Sequence, residues 1–151
     1  MTETQPERHV VVVGIDGSAE SVAALRWAGR YAAATGAALR AVRAWHYPTA
    51  AGIPPEGKAP QQVTGEIEQR MRNELDDAIA NAAVPASVPV ETEIAYGHPV
   101  QVLIDESRKA SLLAVGHRGH GGFTEMLTGS VAIHCVSHAA CPVVVVRGDT
   151  P

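Results

Sequence analysis

Residues 9–36 read HVVVVGIDGSAESVAALRWAGRYAAATG, and this stretch decides the fold. His9 to Ile15 is a short, continuous, β-branched run. Such a run suits a strand buried on both faces, the mark of a parallel sheet. Asp16-Gly17-Ser18 ends it. Ser18 fits the N-cap of a following helix, with Glu20 in its first turn beside the positive end of the dipole. Val22, Leu25, Ala28 or Gly29, and Ala32 then recur at helical spacing and predict the inward stripe. Gly36 is the expected stop. The unit is strand, tight turn, helix.

The same punctuation repeats along the chain. Ala38 to Trp45 predicts a second strand, interrupted by Arg40 and Arg43. Residues 46–60 hold four prolines and two glycines, a long irregular connection of the kind that is functional or mobile. From Gln61 to about Ala83, Val63, Ile67, Met71, Leu75, Ile79 and Ala82 follow each other at helical spacing. Val88 to Ala95 alternates as a third strand, with Pro89 and the charges favouring a sheet edge. Pro99 opens a helix whose Val100, Leu103, Ile104 and Ser107 face inward. Ser111 to Val115 is the fourth strand, a helix is expected from about Ser130 to Ala139, and Pro142 to Arg147 is the last strand.

Strictly alternating strands and helices define an α/β fold: a single doubly wound domain with a five-stranded, mostly parallel sheet and four helices. Right-handed crossovers favour the strand order 3-2-1-4-5. Residues 1–8 read as a flexible tail and residues 9–148 as the domain. Ligands in such sheets bind at the carboxyl ends of the strands beside the switch point. Here that point lies between the first and fourth strands, where Gly14-Ile15-Asp16-Gly17 and Gly116 should meet.

After Gly116 comes a glycine-rich loop, spaced as Gly116, two residues, Gly119, nine residues, Gly129-Ser130. Backbone N–H groups of such a loop, and the helix start behind it, attract anions. The loop is not a Walker P-loop, because no lysine stands beside Gly129-Ser130, and it lacks the dinucleotide GxGxxG pattern. Ser130 reads equally as a phosphate ligand or as the N-cap of the last helix. Asp16 reads evenly as a ribose or adenine contact and as a cap for the first helix.

Composition narrows the partners. The chain has 151 residues, 46% hydrophobic and 19% charged, with a formal net charge of −4 and only 4% aromatic residues. There is no basic field for nucleic acid and few stacking platforms. No apolar run reaches the ~18 residues of a membrane helix, and the polar stretch MTETQPERH lacks the apolar core expected of a signal peptide. A cytoplasmic location without membrane attachment is expected. Two cysteines suit a reducing compartment. His134 and His138 stand one helical turn apart near Cys135 and Cys141, a pattern that raises zinc. Cys141 begins a strand expected to be buried, so no metal site is expected. Trp27 and Trp45 read as packing groups, with Trp45 and His46 at the rim of the second strand. No catalytic triad or nucleophile elbow is present, and Asp16 has no second carboxylate to form an Mg²⁺ pair.

The segments VVVGIDGSAESVAALRWA, VGHRGHGGFTEMLTGSVA and HAACPVVVVR resemble the universal stress proteins, and the loop fits the G-2x-G-9x-G-[ST] signature of their ATP-binding branch. The resemblance implies that Gly14, Ile15 and Asp16 contact adenine and ribose. It implies that Ala44 lines the adenine pocket, that Val115, Gly116 and Gly119 surround ribose and phosphates, and that Gly129, Ser130 and Val131 hold the triphosphate end. Ala132 departs from members with a hydroxyl residue there, so one phosphate contact is missing. The implied cofactor is ATP, alone or with Mg. The implied activity is that of a stress-response regulator, at most a slow ATPase, with a cyclic-nucleotide-binding scaffold as the alternative. The implied assembly is a homodimer through Val143–Val146, with a further protein partner of unknown identity.

Overall fold

The structure, a computed structural model, describes residues 9–46, 60–118 and 129–148, with the side chains of residues 60–62 left aside. Five strands and four helices alternate: β1 Val10–Gly14, α1 Ala19–Thr35, β2 Ala38–Trp45, α2 Pro60–Ala82, β3 Val90–Tyr96, α3 Pro99–Ser107, β4 Leu112–Gly116, α4 Ser130–His138 and β5 Val143–Val146. The sheet order is β3-β2-β1-β4-β5, and all neighbours pair in parallel. The expected architecture is the observed one.

Alternation along each strand feeds two cores. Val11, Val13, Leu39, Ala41, Leu112 and Ala114 pack with Ala24, Leu25 and Ala28 of α1 and with Leu75, Ala78 and Ala82 of α2. Val12, Val42, Leu113 and Val115 point the other way, against Leu103 of α3 and Ala132 and Cys135 of α4. Side chains of successive strand residues point to opposite faces, so a sheet covered on both sides needs continuous apolar runs. That explains the valine run of β1.

The strands begin and end within two residues of the sequence reading. β3 starts at Val90 rather than Val88, because Val88 closes a turn by donating its N–H to the Pro85 carbonyl at 3.0 Å. Pro89 has no N–H to give, and its carbonyl accepts from Leu39 at 2.9 Å. Of the expected inward residues of α3, Leu103 and Ser107 are buried. Ser107 Oγ donates to the Ile104 carbonyl at 2.6 Å and accepts from the Ala140 N–H at 2.8 Å. This buried hydroxyl ties α3 to the turn before β5.

The two arginines of β2 serve opposite faces, as a spacing of three along a strand requires. Arg40 meets Glu106 of α3 at 2.8 Å and Glu91 and Glu93 of β3 at 3.2 and 3.5 Å. The hydrogen bond to Glu106 chiefly holds the guanidinium pKa above its usual value. Arg43 meets Glu74 of α2 at 3.2 Å.

Cys135 is fully buried under α4. Burial, reinforced by Cys141, pushes its thiol up to about 11 from 9.0. The neutral thiol is thereby favoured in the folded state. Its contribution is present below pH 9, where both states keep the proton, and is lost as pH rises toward 11. Urea titrations between pH 8 and 11 are expected to show this decline, and Cys135→Ala to flatten it.

Candidate functional site

The turn after β1 is built by three short residues. Ser18 is the N-cap of α1, and its hydroxyl accepts the Ser21 N–H at 3.2 Å. Asp16 supports that cap rather than being it. Its Oδ1 accepts the Ser18 N–H at 2.9 Å and the Ser18 hydroxyl proton. Gly17 between them has φ 85°, a left-handed conformation that a side chain would strain. Of the two roles weighed for Asp16, direct capping falls to Ser18. The carboxylate stays half-buried at the carboxyl end of β1.

β4 ends against this turn. An ideal Cβ on Gly116 would stand 2.9 Å from both the carbonyl carbon and the Cβ of Glu20. Only glycine lets the end of β4 approach the first turn of α1 so closely. Arg118 Nε lies 4.0 Å from the Glu20 carboxylate, so both sides of the crevice carry charge. Hence the two glycine-bearing turns meet, as the strand order requires.

The loop is closed at its base. The His117 N–H donates to the Val146 carbonyl at 2.7 Å, and the His117 carbonyl accepts the Gly129 N–H at 2.7 Å. That second bond brings the start of α4 back to the end of β4. Gly119, expected beside ribose and phosphates, lies outside the described residues. Gly129, not Ser130, is the N-cap of α4, and no side chain caps the helix. Ser130 is its exposed first residue and Val131 is half-buried. Ala132 is only 2% exposed and packs into the core, so its side chain turns inward.

Of the remaining expected residues, Ile15 is buried and its N–H donates to the Val42 carbonyl at 2.8 Å. Gly14 pairs with Val42, so Ala44 lies two residues beyond Val42 as Asp16 lies two beyond Gly14. Val115 and Gly116 pair with Val145 and Val146. Trp45 is buried and meets Tyr96 edge-on, centroids 5.0 Å apart. Trp27 stacks on Tyr31 at 5.2 Å. Both tryptophans are packing groups.

Some neighbours were not legible in sequence. His46 stacks on His98, centroids 5.6 Å apart, where β2 and β3 end. The contact of Glu20 with Gly116 joins distant segments and has no local signal. Among the described residues, no helix is long and apolar enough to cross a membrane.

In a doubly wound sheet, ligands bind outside the carboxyl ends of the strands beside the switch point, and that is where the Asp16 turn and Gly116 meet. The profile of the universal stress protein family matches residues 7–147; the chain belongs to that family. It is 31% identical over 155 residues to the universal stress protein Rv2005c of Mycobacterium tuberculosis, covering 95% of this chain and 49% of that protein. The chain thus spans about half the length of the curated relatives it matches. A universal stress protein solved in complex with cAMP superposes with a TM-score of 0.71 at 26% identity, covering 95% of this chain and all of that one. An Arabidopsis thaliana family member with AMP bound gives a TM-score of 0.63 at 19% identity, covering 94% of this chain and 93% of that one.

Proposed function

We propose that this protein is an adenine-nucleotide-binding stress-response regulator. ATP, alone or with Mg, would lie across the carboxyl ends of β1 and β4. Asp16, with Gly14 and Ile15, faces adenine and ribose, and Ala44 lines the adenine side. Val115 and Gly116 flank ribose and phosphates. Gly129, Ser130 and Val131 present the start of α4 to the triphosphate.

The observation that carries this reading is the bond from the Gly129 N–H to the His117 carbonyl. It sets the start of α4 beside the end of β4, the strand whose Gly116 approaches the first turn of α1. No side chain caps that helix start, so its first N–H groups suit an anion. The cAMP complex of a relative at 26% identity supports an adenine nucleotide and keeps a cyclic-nucleotide scaffold as the second reading. Without an assigned general base, turnover would be slow at most. Every residue of β5, Val143–Val146, is only half-buried. An open apolar edge of this kind favours covering by the same strand of a second copy, giving a two-fold homodimer.

Gly129 has φ −62°, which any residue adopts, so Gly129→Val disturbs the site more than the backbone. Thermal unfolding with and without ATP is expected to show stabilisation in the native chain and none in Gly129→Val. At a hundredfold excess over Kd the native gain would be about 2.7 kcal/mol. Equal stabilisation in both chains would overturn the phosphate assignment. Stabilisation by cAMP but not ATP would favour the scaffold reading.

A further inference from the structure

The exposed face of α4 carries a pair of imidazoles that the nucleotide site does not use. His134 and His138 lie in one nine-residue helix, with ring centroids 6.4 Å apart and planes within 28°. Both are exposed. Residues four apart are neighbours on a helix surface, so rigid backbone sets their spacing.

His134 Nδ1 lies 2.7 Å from the Ser130 carbonyl oxygen. A carbonyl can only accept, so Nδ1 carries the proton, and in the neutral ring Nε2 keeps its lone pair. Metal-binding histidines are held in this way, one ring N–H on a carbonyl and the other nitrogen left for the metal. His138 stands in the last turn, where the negative end of the helix dipole favours a cation.

The zinc pattern raised by the sequence is split by the fold. Cys135 of the same helix is fully buried, whereas both histidines are exposed. Among the described residues, no group of three or more His, Cys, Asp or Glu is placed to hold a metal. A closed four-ligand site is not built, whereas a two-nitrogen chelate is.

We propose that His134 and His138 form a surface chelate for a borderline divalent cation of the Zn²⁺, Ni²⁺ or Cu²⁺ type, with water completing the coordination. Imidazole suits these ions, while Mg²⁺ and Ca²⁺ seek hard oxygen ligands. Metal–nitrogen bonds of about 2.0–2.1 Å draw the rings together, which needs rotation of exposed side chains only. The bound ion bridges two successive turns of the helix that Gly129 and Ser130 open.

The test is titration calorimetry with NiCl₂ on the full-length, nucleotide-free chain without an affinity tag. One ion per chain is expected, with no heat from MgCl₂. Loss of even an outer-shell partner weakens metal sites by about tenfold or more. His134→Ala and His138→Ala are therefore each expected to lower affinity at least tenfold. His46→Ala and His98→Ala, which remove the other stacked pair, should leave it unchanged. A long-range ¹H–¹⁵N spectrum should show the His134 Nε2 resonance shifting with Zn²⁺ while Nδ1 stays protonated. No binding to the native chain, unchanged affinity in the His134→Ala/His138→Ala double variant, or loss on His46→Ala or His98→Ala instead would overturn the proposal. No nucleotide is involved, so such a failure leaves the ATP reading untouched.

Discussion

Leu25→Ala is expected to lower the unfolding free energy by about 4 kcal/mol, near the upper end for large-to-small core changes. The other buried residues of α1 are Ser21, Ala23, Ala24, Ala28, Gly29 and Ala32. Leu25, with no exposed surface, is therefore the one large side chain that α1 buries. Ala24, Ala28 and Gly29 beside it on the helix are too small to reach into the space left behind. The sheet residues opposite are held by hydrogen bonds on both sides, which limits collapse. Domains of this size keep roughly 5–15 kcal/mol of stability, so a large share would go. Urea denaturation of the variant measures it. A loss below about 1 kcal/mol would mean that α1 repacks freely.

Gly116→Val should cost about 3 kcal/mol and, in the nucleotide reading, ligand affinity as well. The added Cβ meets the carbonyl carbon of Glu20 at 2.9 Å and its oxygen at 3.0 Å. Those are backbone atoms inside the first helical turn, and they cannot swing aside as a side-chain tip would. Either α1 or the end of β4 must shift, and overpacking of this kind typically costs about 1–3 kcal/mol. The shift would also disturb the Arg118–Glu20 pair, whose atoms are 4.0 Å apart. A fall in melting temperature of about 6–12 °C is the expected reading. An unchanged melting temperature would show that the approach of β4 to α1 is not tight in solution.

The layout of the fold was legible because its signals are local. β-branched runs, Ser18 before the first helix, Gly36 after it and Pro99 at the start of α3 each act within a few residues. Strand limits were less legible because they depend on the neighbour. Ile15 reaches past the end of β1 to the Val42 carbonyl, and β3 waits for Val90 because Pro89 can only accept.

The site was legible in part. Asp16 and Gly116 were singled out by their places at strand ends. Strand order implied that they meet, and the contact of Gly116 with Glu20 gives that meeting an atomic form. What the residues do to one another was hidden. Whether Asp16 or Ser18 caps α1 depends on rotamers, and the choice of Gly129 as N-cap depends on a bond to His117. Arg40 and Arg43 stood out as charges within the second strand. Their partners Glu106 and Glu74 lie on helices whose packing no local pattern encodes.

Titration calorimetry of ATP into the nucleotide-free chain tests most directly the proposed adenine-nucleotide site between the ends of β1 and β4. Asp16→Ala removes the carboxylate, whereas Ser18→Ala removes the cap and keeps the carboxylate. One ATP per chain is expected. Affinity should fall about tenfold to a hundredfold in Asp16→Ala, as loss of a charged hydrogen bond implies, and survive in Ser18→Ala. No binding to the well-folded native chain, or equal binding by Asp16→Ala, would contradict the account.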